Sequence, residues 1–350
     1  CRLKKYLRLN MENLPIIDIE NLYSNDSDLI SEVDKKIAFA AASVGFFVIT
    51  GYRKKNIVNF EARKKMLTIF DIPMEKQRYL WKKNFAPKNK NLYRGWFPLT
   101  SSLAKNREGF EIGPDIARDH KDYDTSDILQ EKTPRPKSED IPGDWIKTCK
   151  SYYLAMELIG EKLLCSLSRS LGISEHIFLE AFRMGISTLR LLHYPKRDDF
   201  SKEIEDTPDR FTIFKGKRYE QIARPHVDSG LLTILAQDNV GGLQVRSHSE
   251  GWVEVPLIAN SFSVNFGGLM EYWTGGRVKA TLHRVLSLNE RRYSVPFFFE
   301  PRPSTVISPL PIRGSKKFEP FLYGNHLWEK TTKFPENKGL EHLRPPRLMN

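Results

Sequence analysis

Two histidines and an aspartate carry the strongest chemical signal in this sequence. His226 and Asp228 stand two residues apart in the run RPHVD, and His283 follows in TLHRV. Because strand side chains alternate between two faces, this spacing predicts that His226 and Asp228 point to the same face. Two imidazoles and one carboxylate on one face of a ferrous ion leave three positions open for a co-substrate and dioxygen. The residue types therefore indicate Fe(II)-dependent oxygen chemistry, if the fold returns His283 to the other two.

Arg292 and Ser294 repeat the spacing of two in the run RYSV. A guanidinium offers a rigid fork of donors that matches a carboxylate, and a neighbouring hydroxyl adds one more donor. A dicarboxylate such as 2-oxoglutarate could chelate iron at its keto-acid end while this pair holds the other end. Each short motif alone is common by chance, and it is the five residues in this order that indicate a site.

Longer runs around these residues match a known family. They are HVDSGLLTILAQDNVGGLQV, SVNFGGLMEYWTGGRVKATLHRV and ERRYSVPFFFEP, with LPIIDIENL, VGFFVITGY and YRGW nearer the N-terminus. From about Leu14 to Tyr323 the chain resembles the isopenicillin N synthase-like branch of the Fe(II)/2-oxoglutarate-dependent dioxygenases. The resemblance implies that His226, Asp228 and His283 bind iron and that Arg292 and Ser294 bind the distal carboxylate of 2-oxoglutarate. It also implies that Fe(II), 2-oxoglutarate and O2 serve to hydroxylate, desaturate or cyclise a small molecule, with release of succinate and CO2.

Two further residues acquire candidate roles from the resemblance. Tyr194 in LRLLHYP stands where the family places a tyrosine that hydrogen-bonds the co-substrate or substrate. Arg94 in YRGW stands near a family arginine that contacts substrate. A buried aromatic at a strand end and a structural arginine explain these residues equally well.

Two alternatives remain open from the sequence. An iron-dependent oxidase of the isopenicillin N synthase type uses no 2-oxoglutarate, and its Arg-x-Ser pair binds a substrate carboxylate. The second alternative is a binding protein that kept the barrel and lost catalytic turnover. The intact set of iron ligands argues against it. Release of succinate in proportion to product distinguishes the first alternative, and titration with Fe(II) distinguishes the second.

Composition limits the remaining classes. The chain has 350 residues, 40% of them hydrophobic, and a net charge of +12. The positive charges are scattered among acids, which is typical of a solvated surface, so we expect no nucleic-acid partner. No long uncharged apolar run predicts a membrane span. Three cysteines without paired spacing indicate a reducing compartment, the cytoplasm.

The pattern of elements predicts an α+β protein with a mostly β core. Apolar residues recur at helical spacing from Asp144 to Leu171, which predicts one long backing helix, and a shorter helix follows over Glu175–Phe182. Another helix is expected over Lys55–Phe70. After residue 184, many short strands with Gly-rich turns favour a double-stranded β-helix, or jelly roll. We expect five regions: a disordered leader (1–12), an N-terminal dioxygenase region (13–143), backing helices (144–183), the β-helix core (184–305) and a C-terminal tail (306–350).

Three segments have no regular pattern of their own. Met74–Pro142 is expected to be irregular and to carry substrate contacts, and the polar segment Lys196–Arg218 is predicted to be an insertion or a lid. The tail is expected to pack over the barrel through Phe321, Tyr323 and Trp328.

Overall fold

A computed structural model describes residues 14–99, 107–118, 123–197, 209–247 and 251–349. The predicted leader, residues 1–12, lies outside these ranges, and so does the middle of the segment Lys196–Arg218. Within the described ranges, the strands are β1 (Ile16–Asp18), β2 (Phe46–Thr50), β3 (Gly95–Phe97), β4 (Glu108–Ile112), β5 (Thr188–Tyr194), β6 (Phe211–Phe214), β7 (Lys217–His226), β8 (Leu232–Gln237), β9 (Leu243–Ser247), β10 (Gly251–Glu254), β11 (Phe262–Phe266), β12 (His283–Leu286), β13 (Arg292–Phe299), β14 (Val306–Ile307) and β15 (Phe321–Leu322). The α-helices are α1 (Ser27–Ser43), α2 (Phe60–Leu67), α3 (Met74–Gln77), α4 (Trp145–Leu171), α5 (Glu175–Phe182), α6 (Gly268–Trp273) and α7 (Tyr323–Thr331).

Two antiparallel sheets form the centre of the molecule. The major sheet has the strand order β1-β2-β11-β8-β13-β5-β4-β3, and the minor sheet has the order β10-β9-β12-β7-β6. Among the described strand pairs, only β1 and β2 run parallel. Strands far apart in sequence are neighbours in both sheets, as in a jelly roll. The predicted double-stranded β-helix is confirmed.

Apolar side chains fill the space between the two sheets on one side of the barrel. Phe46 and Leu192 of the major sheet share a buried cluster with Val245 and Val285 of the minor sheet. A larger core lies on the outer face of the major sheet, where the helices cover it. The polar residues of the barrel interior line a cavity beside the inner cluster, which contributes Phe46, Leu192 and Val285 to its wall.

The long helix α4 packs along the outer face of the major sheet, as the sequence predicts. The Tyr153 ring meets the Phe297 ring edge-on, with centroids 5.1 Å apart. At Gly160 a β-carbon would stand 2.5 Å from Phe299, so glycine allows the helix to approach the strand closely. The helix ends at Gly172, whose φ of 68° is the left-handed conformation typical of helix C-termini.

Two predictions about the N-terminal half are corrected by the structure. The helix expected from Lys55 begins only at Phe60, because Asn59 caps it by accepting from the Ala62 amide. The segment expected to be irregular contains β3 and β4, which extend the major sheet beyond β5. These strands are short, and pairing defines them: β4 pairs with β5, and β3 pairs with β4.

The described part of Lys196–Arg218 is also more regular than expected. It contains β6 and the beginning of β7, joined by a turn at Lys215 and Gly216 with φ values of 48° and 75°. Two consecutive positive φ angles match the tight turn that connects hairpin strands. This portion therefore forms an edge of the minor sheet.

The C-terminal tail packs on the barrel, as predicted. Tyr323 and Trp328 of α7 are buried, and Phe321 is half-buried. Further along, the Arg344 guanidinium binds both carboxylate oxygens of Asp127 at 2.7 and 2.9 Å, with both side chains almost fully buried. In the described ranges no helix is both long and apolar enough to cross a membrane.

Candidate active site

The two histidines and the aspartate converge at one end of the minor sheet. His226 is the last residue of β7, His283 is the first residue of β12, and the two are paired across these antiparallel strands. Nε2 of His226 and of His283 lie 3.8 and 3.7 Å from Oδ1 of Asp228. The three ligand atoms all lie within 4.8 Å of one another. One metal ion between them would have two nitrogens and one oxygen, the donor set typical of non-haem Fe(II) oxygenases.

Asp228 does not lie on the strand from which its orientation was predicted. β7 ends at His226, and the chain turns so that the Asp228 carbonyl accepts from the Gly268 amide at 2.7 Å. The side chain is instead oriented by donors from the major sheet. Thr233 Oγ1 and Asn265 Nδ2 donate to its Oδ2 at 2.6 and 2.8 Å, which leaves Oδ1 facing the imidazoles.

Backbone carbonyls orient both imidazoles. Nδ1 of His226 lies 2.7 Å from the Arg224 oxygen, and Nδ1 of His283 lies 3.1 Å from the Thr281 oxygen. Each Nδ1 therefore carries the proton and donates it, so each Nε2 lone pair faces Asp228. Burial and the nearby His283 lower the pKa of His226. Burial opposes ionisation of Asp228, but the two imidazoles and the donated hydrogen bonds outweigh it and lower its pKa. Two imidazole nitrogens beside a carboxylate oxygen suit a divalent cation.

Arg292, Ser294 and Tyr194 form the second group that the sequence predicts. Arg292 pairs with Tyr194 across β13 and β5, and its guanidinium lies 4.9 Å from the centroid of the Tyr194 ring. Arg292 is 2% exposed, and its Nε donates to the Gly241 oxygen at 2.8 Å. Its Nη1 is buried and has no hydrogen-bond partner among the described residues. Ser294, also buried, follows on the same face. A buried cation with an unsatisfied donor fits an incoming carboxylate.

A single cavity of about 390 Å³ connects the two groups. Its lining includes the three candidate metal ligands together with Tyr194, Arg292 and Ser294. β13 and the residue that follows it contribute alternate residues to one side of the cavity, as expected for one strand face: Arg292, Ser294, Pro296, Phe298 and Glu300. The volume is in the range of small-molecule sites.

The structure does not bring Arg94 to this cavity. Its guanidinium is almost fully buried, donates to Thr188 and to the Ile186 oxygen, and lies over the Tyr93 ring. These contacts tie the N-terminal region to the beginning of β5. This placement agrees with a structural role for Arg94, which does not line the cavity.

Several cavity residues have no motif in the sequence. Lys82, Glu111 and Arg190 form a buried ionic cluster at the cavity wall, and Glu300 accepts a hydrogen bond from the Tyr323 hydroxyl. Burial raises the pKa of Glu300 to about 7. The sequence offers one signal for two of them, the side-chain period of two. It places Arg190 on the same face as Tyr194 in LRLLHY, and Glu300 on the same face as Arg292 in RYSVPFFFE.

Jelly-roll topology with two histidines, an aspartate and a buried arginine in one cavity defines a non-haem iron oxygenase. A sequence profile of the 2OG-Fe(II) oxygenase superfamily matches residues 186–301. A second profile, described as the N-terminal region of non-haem dioxygenases in morphine synthesis, matches residues 14–134.

Curated relatives extend the similarity over most of the chain. A probable iron/ascorbate oxidoreductase of Dictyostelium discoideum is 31% identical over 335 residues, covering 90% of this chain and 88% of the relative. The 2-oxoglutarate-Fe(II) type oxidoreductase hxnY of Emericella nidulans is 28% identical over 300 residues, covering 85% and 82%. The chain belongs to the 2OG-Fe(II) oxygenase superfamily and is an Fe(II)- and 2-oxoglutarate-dependent oxidoreductase. These relatives favour 2-oxoglutarate use over the oxidase alternative.

Solved structures share the fold. A full-length Neurospora crassa protein, solved in complex with alpha-KG and thymine, superposes with a TM-score of 0.74 at 23% identity, covering 92% of this chain and 97% of the Neurospora chain. JOX2 in complex with 2OG, Fe and JA superposes with a TM-score of 0.68 at 22% identity, covering 95% and 88%.

Proposed function

We propose that His226, Asp228 and His283 hold Fe(II), and that the enzyme uses it to oxidise a small organic molecule. The single observation that carries this assignment is the convergence of two Nε2 atoms and one carboxylate oxygen at the cavity wall. Bound iron would supply the reaction of 2-oxoglutarate with O2, in which one oxygen atom enters succinate, CO2 is released and the second oxygen atom is available to oxidise the substrate. The protein's own part is to orient the ligand atoms, position the co-substrate and limit water access.

Arg292 and Ser294 are proposed to bind the distal carboxylate of 2-oxoglutarate. The guanidinium is fixed by the Gly241 oxygen and the Tyr194 ring, so little conformational freedom is lost when the carboxylate binds. Tyr194 is proposed to act through this stacking as a positioning residue. Removal of water from this buried end strengthens the ionic contact.

The substrate is proposed to be a small molecule, and the reaction a hydroxylation, desaturation or ring closure. Thymine in the Neurospora crassa structure and JA in JOX2 are small organic molecules held by the same fold. A cavity of about 390 Å³ that also receives 2-oxoglutarate suits a compact substrate.

The proposal is tested by anaerobic reconstitution with Fe(II) followed by addition of 2-oxoglutarate and oxygen. We expect succinate and CO2 in equal amounts, increased by a true substrate from a metabolite panel. Asp228→Ala should bind no Fe(II) at this site, whereas Asp28→Ala, at an exposed position of α1, should behave as the unsubstituted enzyme. Normal Fe(II) binding by Asp228→Ala would contradict the ligand assignment.

We further propose that the enzyme works in the reducing cytoplasm. Cys149 and Cys165 are free thiols, and burial raises the pKa of both, which keeps them protonated and poorly reactive. Fractionation of cells expressing the full chain tests the compartment, and recovery with secreted proteins would contradict it.

A further inference from the structure

A buried ionic cluster of Lys82, Glu111 and Arg190 forms the wall of the cavity away from Arg292. Lys82 Nζ lies 2.5 Å from Glu111 Oε2, and Arg190 Nη2 donates to Glu111 Oε1. Lys82 also donates to Asn337 of the C-terminal tail at 3.3 Å. The three side chains come from separate parts of the chain and all line the cavity. Two cations therefore share one carboxylate at a buried position.

The cluster is separated from the proposed 2-oxoglutarate site along β5. Arg190 and Tyr194 stand four residues apart on the same strand face, a separation of about 13 Å at strand rise. Arg292 lies opposite Tyr194, so the two guanidinium groups occupy different ends of this face. Arg190 instead lies 4.8 Å from the ring centroid of Phe298, whose strand partner Thr233 holds Asp228. Arg190 is thus connected to Asp228 through Phe298 and Thr233.

The geometry of Arg190 suits recognition of a planar anion. Its guanidinium lies between the rings of Phe298 and Phe97, at 4.8 and 5.7 Å, which restricts the plane of the group. One nitrogen is occupied by Glu111, and about a quarter of the side chain is exposed, at the cavity. A fixed, partly exposed guanidinium is a preorganised partner for a carboxylate.

The charge balance favours an anion as well. Against the effect of burial, Lys82 and Arg190 lower the pKa of Glu111 to about 2, so Glu111 is ionised and neutralises one of them. Glu336 also interacts electrostatically with Arg190, while Glu300 is partly protonated near neutral pH. Apart from the metal ligands and Arg292, the charged groups that line the cavity among the described residues are Lys82, Arg107, Arg190, Arg224, Glu111, Glu300 and Glu336. Cations exceed ionised carboxylates in this set.

We propose that the substrate is a small organic carboxylate, held by Arg190 with the support of Lys82, so that the opposite part of the molecule faces the metal ligands. This inference rests on the proposed function, since it assigns the substrate class of the same cavity. Arg190 contacts the substrate, whereas Lys82 acts by sharing Glu111 and leaving Arg190 with a surplus of positive charge.

The test compares carboxylic acids with their primary amides. Phenylacetate and phenylacetamide, and hexanoate and hexanamide, are titrated into enzyme loaded with Mn(II) and saturating 2-oxoglutarate, and binding is followed by calorimetry. Saturating 2-oxoglutarate keeps the acids away from Arg292. We expect each acid to bind about 10- to 100-fold more tightly than its amide, the range for loss of one charge-assisted hydrogen bond.

Variants assign the preference to Arg190. Arg190→Gln should abolish the difference between acid and amide, whereas Arg183→Gln, at an exposed position of α5's C-terminus, should retain it. Arg190→Lys keeps a cation beside Glu111 if the glutamine variant fails to fold, and it should weaken acid binding at least several-fold. Equal binding of acids and amides, an unchanged preference in the Arg190 variants, or no acid binding by enzyme that still decarboxylates 2-oxoglutarate would each overturn the substrate assignment. Absence of 2-oxoglutarate binding or decarboxylation would instead contradict the proposed function.

Discussion

Arg190 and Arg292, two of the arginines that line the cavity, differ in how the fold provides their surroundings. Arg292 has a backbone carbonyl and an aromatic ring as neighbours, and Ser294 of the same strand stands beside it. Arg190 shares Glu111 of β4 with Lys82, and Lys82 contacts Asn337 in the tail. The Arg292 end is therefore built within the barrel, from β13, β5 and the Gly241 turn, whereas the Arg190 end also depends on the N-terminal region and the C-terminal tail. Changes in the N-terminal region or the tail can alter the second end without affecting the first.

Both ends of the cavity serve the metal ligands, and loss of a metal ligand should have the largest effect on turnover. Asp228→Ala removes the oxygen ligand, and we expect 2-oxoglutarate turnover to fall by a factor of about 10³ or more, since the metal supplies the oxidative chemistry. Thr233 and Asn265 remain available to bind water, so the thermal unfolding midpoint should change little. Succinate release and calorimetry measure the two quantities. If Asp228→Ala kept its turnover, the metal assignment would be wrong, and neither the Arg292 end nor the Arg190 end could be assigned to this active site.

Breaking the tail contact should affect the Arg190 end selectively. Arg344→Ala leaves Asp127 buried without its guanidinium, which should lower the free energy of unfolding by about 3–5 kcal/mol. Lys333→Ala is the control in the same tail, because its pair with Glu329 is exposed and should contribute about 1 kcal/mol or less. Chemical denaturation measures both. We also expect Arg344→Ala to weaken binding of carboxylate probes more than that of 2-oxoglutarate; the reverse order would contradict the division between the two ends.

The protonation of Glu300 provides a pH test at the Arg190 end. Its folded-state pKa is about 7 against about 4.5 when unfolded, so between these values the native state keeps a proton that the unfolded state releases. Stability is therefore expected to fall as pH rises from about 4.5 to 7 and to level off above, with a total cost of up to about 3 kcal/mol. Glu300→Gln mimics the protonated form and should be more stable than the unsubstituted protein at pH 8, with little difference at pH 4.5. Denaturation across this range measures the effect, and Glu329→Gln, exposed on α7, should show no such gain.

A pair of conservative variants sharpens the comparison of the arginines directly. Arg292→Lys should raise the KM for 2-oxoglutarate about 10- to 100-fold by removing the bidentate fork, with a smaller effect on carboxylate probe binding. Arg190→Lys should show the opposite pattern. Steady-state kinetics and probe titration distinguish them, and an identical pattern from both variants would mean that the two ends do not bind separate anions.

Local periodicity explains why part of this architecture could be read from the sequence. The backing helix Trp145–Leu171 and several core strands have enough residues for their apolar spacing to be distinctive. β3 and β4 do not, because they are short and are defined by pairing, β4 with the distant β5 and β3 with β4. The helix expected from Lys55 was placed too early, since the capping side chain of Asn59 overrides the apolar pattern before it.

The sequence by itself determined the residue types and the order of the metal ligands, and the period of β13 that places Arg292 and Ser294 on one face. Only the tertiary structure decided that Asp228, beyond the end of β7, is turned toward the imidazoles by Thr233 and Asn265. Only the tertiary structure also showed that Lys82, Glu111 and Arg190 lie together. Contacts between segments far apart in the chain produce no periodic pattern in the sequence. The physical reason is that strand alternation is a local constraint on direction, whereas burial of several charges at one place requires the whole barrel to close around them.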